Sequence, residues 1–272
     1  MSQMPNTSLL LVGCGKMGTA LLHGWLKGEA AQRFAVVEPE GAPPGLAAGD
    51  RIDFCARADT LPRNLTPAAI VFAVKPQIAD EVVPAYRRFA DSGALFLSII
   101  AGKTIAGLKR HLGDAAIVRT MPNMPAAIGR GITVACANPL VTAAQRQLAD
   151  RLLAAIGESA WVDDEALLDP VTAVSGSGPA YVFLLIEALA DAGAAMGLPA
   201  ELALRLAKAT VAGSGELAQG AAESPGQLRE SVTSPGGTTR AALDVLMAAD
   251  GLVPLFRRAV AAATARSREL AG

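Results

Sequence analysis

Gly13-Cys14-Gly15-Lys16-Met17-Gly18 follows an apolar run at residues 9–12 and opens a stretch with helical spacing, so a strand passes through glycines directly into a helix. In that context G-x-G-x-x-G is a dinucleotide-binding fingerprint. Gly13 permits the tight turn, Gly15 lets a pyrophosphate approach the backbone, and Gly18 lets helix and sheet pack closely. Cys14, Lys16 and Met17 lie in the same cofactor-binding loop at its variable positions and need no special side-chain role.

Working outward, short apolar or β-branched runs at 9–12, 34–37, 70–74, 95–100, 116–120 and 132–135 alternate with helical stretches. This is the pattern of a doubly wound α/β sheet of the Rossmann type. Most runs are apolar on both faces, as expected for parallel strands covered by helices on each side. Ligands of such sheets bind beyond the carboxyl ends of the strands, which directs attention to the residues just past each run. Glu38 ends the second run, where an acidic side chain accepts hydrogen bonds from an adenosine ribose; the alternative is a solvated loop carboxylate beside Glu40. Ala73-Val74-Lys75-Pro76 ends the run at 70–74 and sets Lys75 beside the cofactor, unless it is a plain surface lysine. Ala101 and Gly102 follow the next run. Asn123, bracketed by prolines in Arg119-Thr120-Met121-Pro122-Asn123-Met124-Pro125, follows the one after, and these residues shape the nicotinamide end of the crevice.

After Trp161 the pattern changes to helices punctuated by Gly and Pro: 179–196, 200–219, 225–232, 238–248 and 252–270. Pro179, Pro199 and Pro225 stand where first-turn prolines belong, and Gly197 and Gly220 where helices stop. The expected organisation is a dinucleotide-binding domain over 1–162 and an all-helical domain over 163–272. Alanine-rich helices with so little polar surface need another copy of themselves to cover them, so a homodimer is expected. One helix start stands out, at Ser234-Pro235-Gly236-Gly237-Thr238-Thr239. Its small residues leave the first backbone amides uncovered at the positive end of a helix dipole, an arrangement that suits a carboxylate. Ser234, Thr238 and Thr239 add hydroxyls; an ordinary Ser-Pro turn with threonine caps is the bland alternative.

Composition narrows the function classes. The 272 residues are 51% hydrophobic and 18% charged with a formal net charge of −1, enough apolar content for a substantial core. The dispersed basic residues create no field of the kind that binds nucleic acid. Three widely spaced cysteines, Cys14, Cys55 and Cys136, argue against a disulfide framework or a zinc site and for a reducing cytoplasm. The first residues lack the pattern of a signal peptide, and the greasy stretch 181–190, interrupted by Glu187 and followed by Asp191, is read as too short and too charged for a bilayer.

Taken together, Gly13 to Gly18, Ala73-Val74-Lys75-Pro76, Arg119 with Met121-Pro122-Asn123, Ser175-Gly176-Ser177-Gly178-Pro179-Ala180-Tyr181 and Ser234-Pro235-Gly236-Gly237-Thr238-Thr239 resemble the pyrroline-5-carboxylate reductase family over essentially the whole chain. The last two motifs are the specific ones. The resemblance implies a Rossmann domain, a C-terminal helical domain through which two subunits interlock, often within rings of dimers, and hydride transfer from NAD(P)H to C5 of 1-pyrroline-5-carboxylate, giving L-proline. It also implies that the substrate carboxylate sits on the backbone of Gly237, Thr238 and Thr239, with the Thr239 hydroxyl near the ring nitrogen. Glu165 resembles a family acidic residue close to the substrate pocket. Thr239 and Lys75 are the candidate catalytic residues, and Ser231, Ser234, Gly236, Gly237 and Thr238 complete the candidate substrate set. Two departures matter. Ser231 stands where relatives often carry Asn, which shortens the polar contact, and Glu38 favours NADH over the usual NADPH. A reductase of a related cyclic imine, or a non-catalytic nucleotide sensor, is the competing reading; a β-hydroxyacid dehydrogenase would want a lysine in the helix 179–196, which has none.

Overall fold

A computed structural model describes residues 8–271. Its eight strands form one sheet in the order β3-β2-β1-β4-β5-β6-β7-β8. These are β1 (Ser8–Val12), β2 (Arg33–Val37), β3 (Ile52–Cys55), β4 (Ala69–Phe72), β5 (Leu95–Ser98), β6 (Ala116–Met121), β7 (Gly131–Ala137) and β8 (Gly157–Trp161). Neighbours pair parallel except β6 with β7. The order reverses between β1 and β4, which places the switch point, where such sheets bind dinucleotides, beside the glycine-rich turn.

The helices are α1 (Lys16–Lys27), α2 (Ala79–Val82), α3 (Ile105–Leu112), α4 (Ala143–Ala154), α5 (Leu168–Val171), α6 (Gly178–Ala195), α7 (Ala200–Gly220), α8 (Pro225–Ser231), α9 (Thr238–Leu246) and α10 (Leu252–Ala271). Alternation along the strands divides the sheet's apolar side chains between two cores. Leu9, Leu11, Val71, Leu95 and Leu97 pack with Leu21, Leu22 and Trp25 of α1 and with Leu152 of α4. Leu10, Val12, Ile70, Phe72 and Phe96 pack on the other face with Tyr86, Leu108 and Leu112. The Trp25 indole N–H donates to the Leu152 carbonyl at 2.9 Å, so the largest buried side chain leaves no donor stranded.

Strands β3 and β8 are additions to the sequence reading. Both are short edge strands: β3 buries only Ile52, exposes Asp53 and half-buries Phe54 and Cys55, and β8 exposes Glu158, Ser159 and Ala160 and buries none of its residues fully. An edge strand carries too few apolar residues to stand out in sequence.

The chain divides into two compact units. One comprises Met1–Gly176 with Thr264–Gly272, the other Ser177–Ala263. The first therefore takes in the helical turns after Trp161 and the end of α10. The connecting helix is also longer than expected. A 3₁₀ turn at Glu165–Leu167, α5, a π-helical turn at Thr172–Gly176 and α6 run on as one helical stretch, Glu165–Ala195, of 31 residues that contains an 18-residue window with a mean hydropathy of 1.4. The stretch 181–190 is thus part of a longer apolar helix, and length and composition of this kind are equally those of a helix packed in a protein core or interface. In the sequence Gly176 and Gly178 look like breaks, whereas in the fold Gly176 closes the π turn and Gly178 opens α6 directly after it, with Ser177 between them as its N-cap. In the second unit only Ala203 and Ala207 are buried, while Phe183 and Leu184 of α6 are 51% and 63% exposed. An apolar helical unit with almost no interior of its own requires another surface against it.

Candidate active site

The nucleotide cradle is built at the end of β1. Gly13 has φ +89°, and a Cβ there would come within 2.8 Å of the Ala73 carbonyl oxygen, so only glycine lets the turn pass against the end of β4. A Cβ on Gly18 would collide with the Gly13 carbonyl, which fixes how closely α1 approaches the turn. Gly15 is different: a Cβ would meet nothing within 4 Å, so packing makes no demand for glycine there. Gly15 is also the N-cap of α1 and places no side chain over the helix's first amides, the donors that bind phosphate. Lys16 is exposed and Met17 half-buried.

Glu38 reaches back into this cradle. Its Oε2 accepts the backbone N–H of Cys14 at 2.6 Å, so the carboxylate lies against the glycine loop and not in open solvent. Burial raises the Cys14 thiol above its ordinary range, with Glu38 adding to the shift against a hydrogen bond from Thr19 that lowers it.

The loops after β4, β5 and β6 line up beside the cradle because those strands are successive neighbours of β1. Ala73 and Val74 are half-buried, Lys75 is exposed, and Pro76 opens a 3₁₀ turn. Ala101 and Gly102 form the exit from β5. Gly102 has φ +71°, and a Cβ there would stand 2.8 Å from the carbonyl oxygen of Leu270 near the end of α10. Asn123 spends its amide inside the fold: Oδ1 accepts the Ile132 N–H at 3.0 Å and Nδ2 donates to the Ser175 hydroxyl at 3.2 Å, tying the loop to β7 and to the π turn.

Glu165 is likewise engaged. Its Oε1 accepts the Ile105 N–H at 2.8 Å and an Arg119 Nη1–H at 2.8 Å. Sequence reasoning quoted Arg119 only as part of a motif; the signal was an arginine within an apolar strand. Asp169 with Ser267, a buried hydrogen bond of 2.7 Å that anchors the end of α10, was also missed. Its partners are 98 residues apart, and no spacing in the sequence announces them.

The second group lies in the other unit. Gly236 has φ +70° and a Cβ there would meet nothing, while Gly237 caps α9 without a side-chain hydrogen bond. The Gly237 N–H donates to the Ser234 carbonyl at 3.1 Å, and no side chain caps the amides that follow it in α9, with Thr238, Thr239 and Ser234 exposed around them. Ser231 donates its hydroxyl to the Leu228 carbonyl at 2.8 Å, folding back on its own helix. No group of three or more candidate metal ligands occurs among the described residues.

A doubly wound sheet with a glycine turn open at its switch point is the architecture of the dinucleotide-binding class of proteins. Residues 165–270 match the family model described as pyrroline-5-carboxylate reductase dimerisation. Pyrroline-5-carboxylate reductase of Pseudomonas aeruginosa is 38% identical over 273 residues, covering 98% of each chain. The Coxiella burnetii enzyme superposes with a TM-score of 0.88 at 31% identity, over 98% of this chain and 100% of its own. Plasmodium falciparum pyrroline carboxylate reductase, solved with NADP bound, does so with a TM-score of 0.82 at 30% identity, over 99% and 100%. The chain belongs to the pyrroline-5-carboxylate reductase family. It is an enzyme that reduces 1-pyrroline-5-carboxylate to proline with NAD(P)H, and it works as a homodimer through its helical region. That pairing accounts for the bare apolar faces of α6 and its neighbours.

Proposed function

We propose that the reductase takes its dinucleotide on Gly13, Cys14, Gly15, Lys16, Met17 and Gly18, with Glu38 on the adenosine ribose, and prefers NADH to NADPH. The carrying observation is the 2.6 Å bond from Cys14 N–H to Glu38. It holds a carboxylate at the mouth of the phosphate cradle, where a ribose hydroxyl can donate to it and where a 2′-phosphate meets like charge. The Plasmodium relative holds NADP, so the preference is a property assigned to this chain's own Glu38. Ala73, Val74, Lys75, Pro76, Ala101 and Gly102 then border the nicotinamide, and Asn123 supports that border by fixing its loop.

The substrate carboxylate is assigned to the start of α9, on the amides of Thr238 and Thr239 beside Gly236 and Gly237, flanked by the Ser234 hydroxyl; Ser231, whose hydroxyl already donates to the Leu228 carbonyl, is not among its donors. Amides at the positive end of a helix favour an anion. An imine accepts hydride well only when its nitrogen is protonated, so the protein's task is to favour the iminium and orient C5. The Thr239 hydroxyl at the ring nitrogen does this without a strong acid. A reduced nicotinamide supplies the hydride, and orientation accounts for most of the acceleration. Lys75, exposed at the crevice, contributes positive charge toward the cofactor. Domain limits of 1–162 and 163–272, rings of dimers and a cytoplasmic location belong to the same proposal; three free cysteines, Cys14, Cys55 and Cys136, fit a reducing compartment.

The test is the oxidation of NADH and of NADPH with 1-pyrroline-5-carboxylate, by the native enzyme and by Glu38→Ser. The expected result is a higher kcat/KM for NADH and a shift of the ratio toward NADPH by about tenfold or more in the variant, as removal of a repulsion of a few kcal/mol requires. A native preference for NADPH overturns the Glu38 assignment.

A further inference from the structure

We infer that Arg119 and Glu165 form a positioning pair for hydride transfer, acting through the turn between β5 and α3. Arg119 is 4% exposed and Glu165 is 27% exposed, and they meet at 2.8 Å. Two observations separate this pair from a stabilising ion pair. The guanidinium is incompletely satisfied, since its Nη2 has no hydrogen-bond partner among the described residues, and a buried charged pair of this kind is commonly no more stabilising than apolar side chains of equal volume. In addition, the oxygen that receives Arg119 also receives the Ile105 N–H, the first amide of α3.

The consequence falls on the residues just before Ile105. The exit from β5 is hemmed in on one side at Gly102, where a Cβ would run into the Leu270 carbonyl, and is tied by Lys103 paired with Asp80 at 2.7 Å. On the other side, Thr104 caps α3 by accepting the Gly107 N–H at 3.0 Å, and Glu165 holds the next residue. Arg119 orients that carboxylate from the neighbouring strand. The turn Ala101-Gly102-Lys103-Thr104 is thus fixed at both ends, and Arg119 supplies the fixed point for the second. The inference rests on the reading that Ala101 and Gly102 border the nicotinamide. Displacement of a bordering group by about 1 Å is enough to slow a reaction about a hundredfold without abolishing binding.

The experiment uses the enzyme of this sequence and five variants, R119M, E165L, E165Q, G102A and the double variant R119M/E165L. It measures dinucleotide Kd by fluorescence, steady-state rates, and the primary isotope effect with nicotinamide deuterated at the transferred position. Expected for R119M and E165L are a kcat lower by about 10- to 100-fold, a larger isotope effect and a Kd changed by less than about threefold. E165Q keeps an acceptor for both donors and recovers about tenfold over E165L. The double variant R119M/E165L, which leaves no unpaired charge, loses no more than either single variant. A lower Tm with kcat and isotope effect unchanged in the folded protein makes the pair merely structural and overturns the proposal. G102A reports on the reading beneath it. If G102A changes the isotope effect while R119M does not, the border stands and the pair falls; if R119M changes it while G102A does not, the route through the turn is wrong.

Discussion

At the scale of single residues, the cradle separates glycines needed for packing from one that packing does not require. Gly13 and Gly18 are confined by Ala73 and by the loop itself, whereas a Cβ on Gly15 meets no protein atom. Gly15→Val is therefore expected to raise the dinucleotide Kd by about tenfold or more through the bulk it puts in front of the first amides of α1, with little change in Tm. Isothermal titration and a melting curve together check this. Cysteine reactivity is a second residue-level expectation. Burial raises the thiols of both Cys14 and Cys136, and Glu165 adds to the shift at Cys136. Cys55 is the least buried of the three and is expected to react with iodoacetamide first by access alone, and since thiolate is the reactive form, Cys14 and Cys136 follow as pH rises. Peptide mass mapping of the folded enzyme gives the order.

At the scale of elements, helix starts carry the chemistry. The start of α9 has no side-chain cap, unlike α8, where Ser224 and Gln227 form a reciprocal capping box. Gly237→Val is expected to abolish turnover while dinucleotide binding survives. Thr239→Ala is expected to lower kcat by one to two powers of ten, about what one hydrogen bond at the reacting centre is worth, and Thr239→Ser to restore most of it. Full activity in the alanine variant removes Thr239 from the ring nitrogen. The β5 exit carries an electrostatic tie as well. Lys103 and His111 hold the Asp80 carboxyl below its ordinary range, so the folded state favours its ionised form. That contribution is complete above the ordinary carboxylate pKa and is lost as pH falls through the lowered one. Asp80→Asn should accordingly lower Tm at pH 7, by a small margin because the carboxylate is exposed, and the difference should shrink as pH falls below the ordinary carboxylate range.

At the scale of the whole molecule, the second unit depends on its partner. With only Ala203 and Ala207 buried in an isolated copy and the apolar side chains of α6 bare, a charge on that face should prevent assembly. Leu184→Glu is expected to give monomers or aggregates by sedimentation velocity, with activity lost and the near-ultraviolet signal of the helical unit reduced. A folded, active monomer excludes the pairing surface from α6. The helical stretch Glu165–Ala195 spans the division between the units at Gly176, and its first turns are tied to the sheet by Glu165 to Arg119 and by Ser175 to Asn123.

Local physics made much of this legible in advance. Apolar runs bounded by glycine specify buried parallel strands, G-x-G-x-x-G between a strand and a helix specifies a phosphate turn, and proline and glycine mark the limits of the later helices to within a residue or two. Each of those signals lies within a few consecutive residues, so the sequence alone determined the sheet's central strands, the cradle and the uncapped start of α9. Other features depend on residues brought together from far apart. Glu38 turning back onto Cys14, Arg119 meeting Glu165 across 46 positions, the end of α10 anchoring on Asp169, and a π turn carrying a helix through glycines were decided only in the folded chain. Burial makes each buried polar group find a partner wherever the packing puts one, and neither spacing nor periodicity encodes which partner that is.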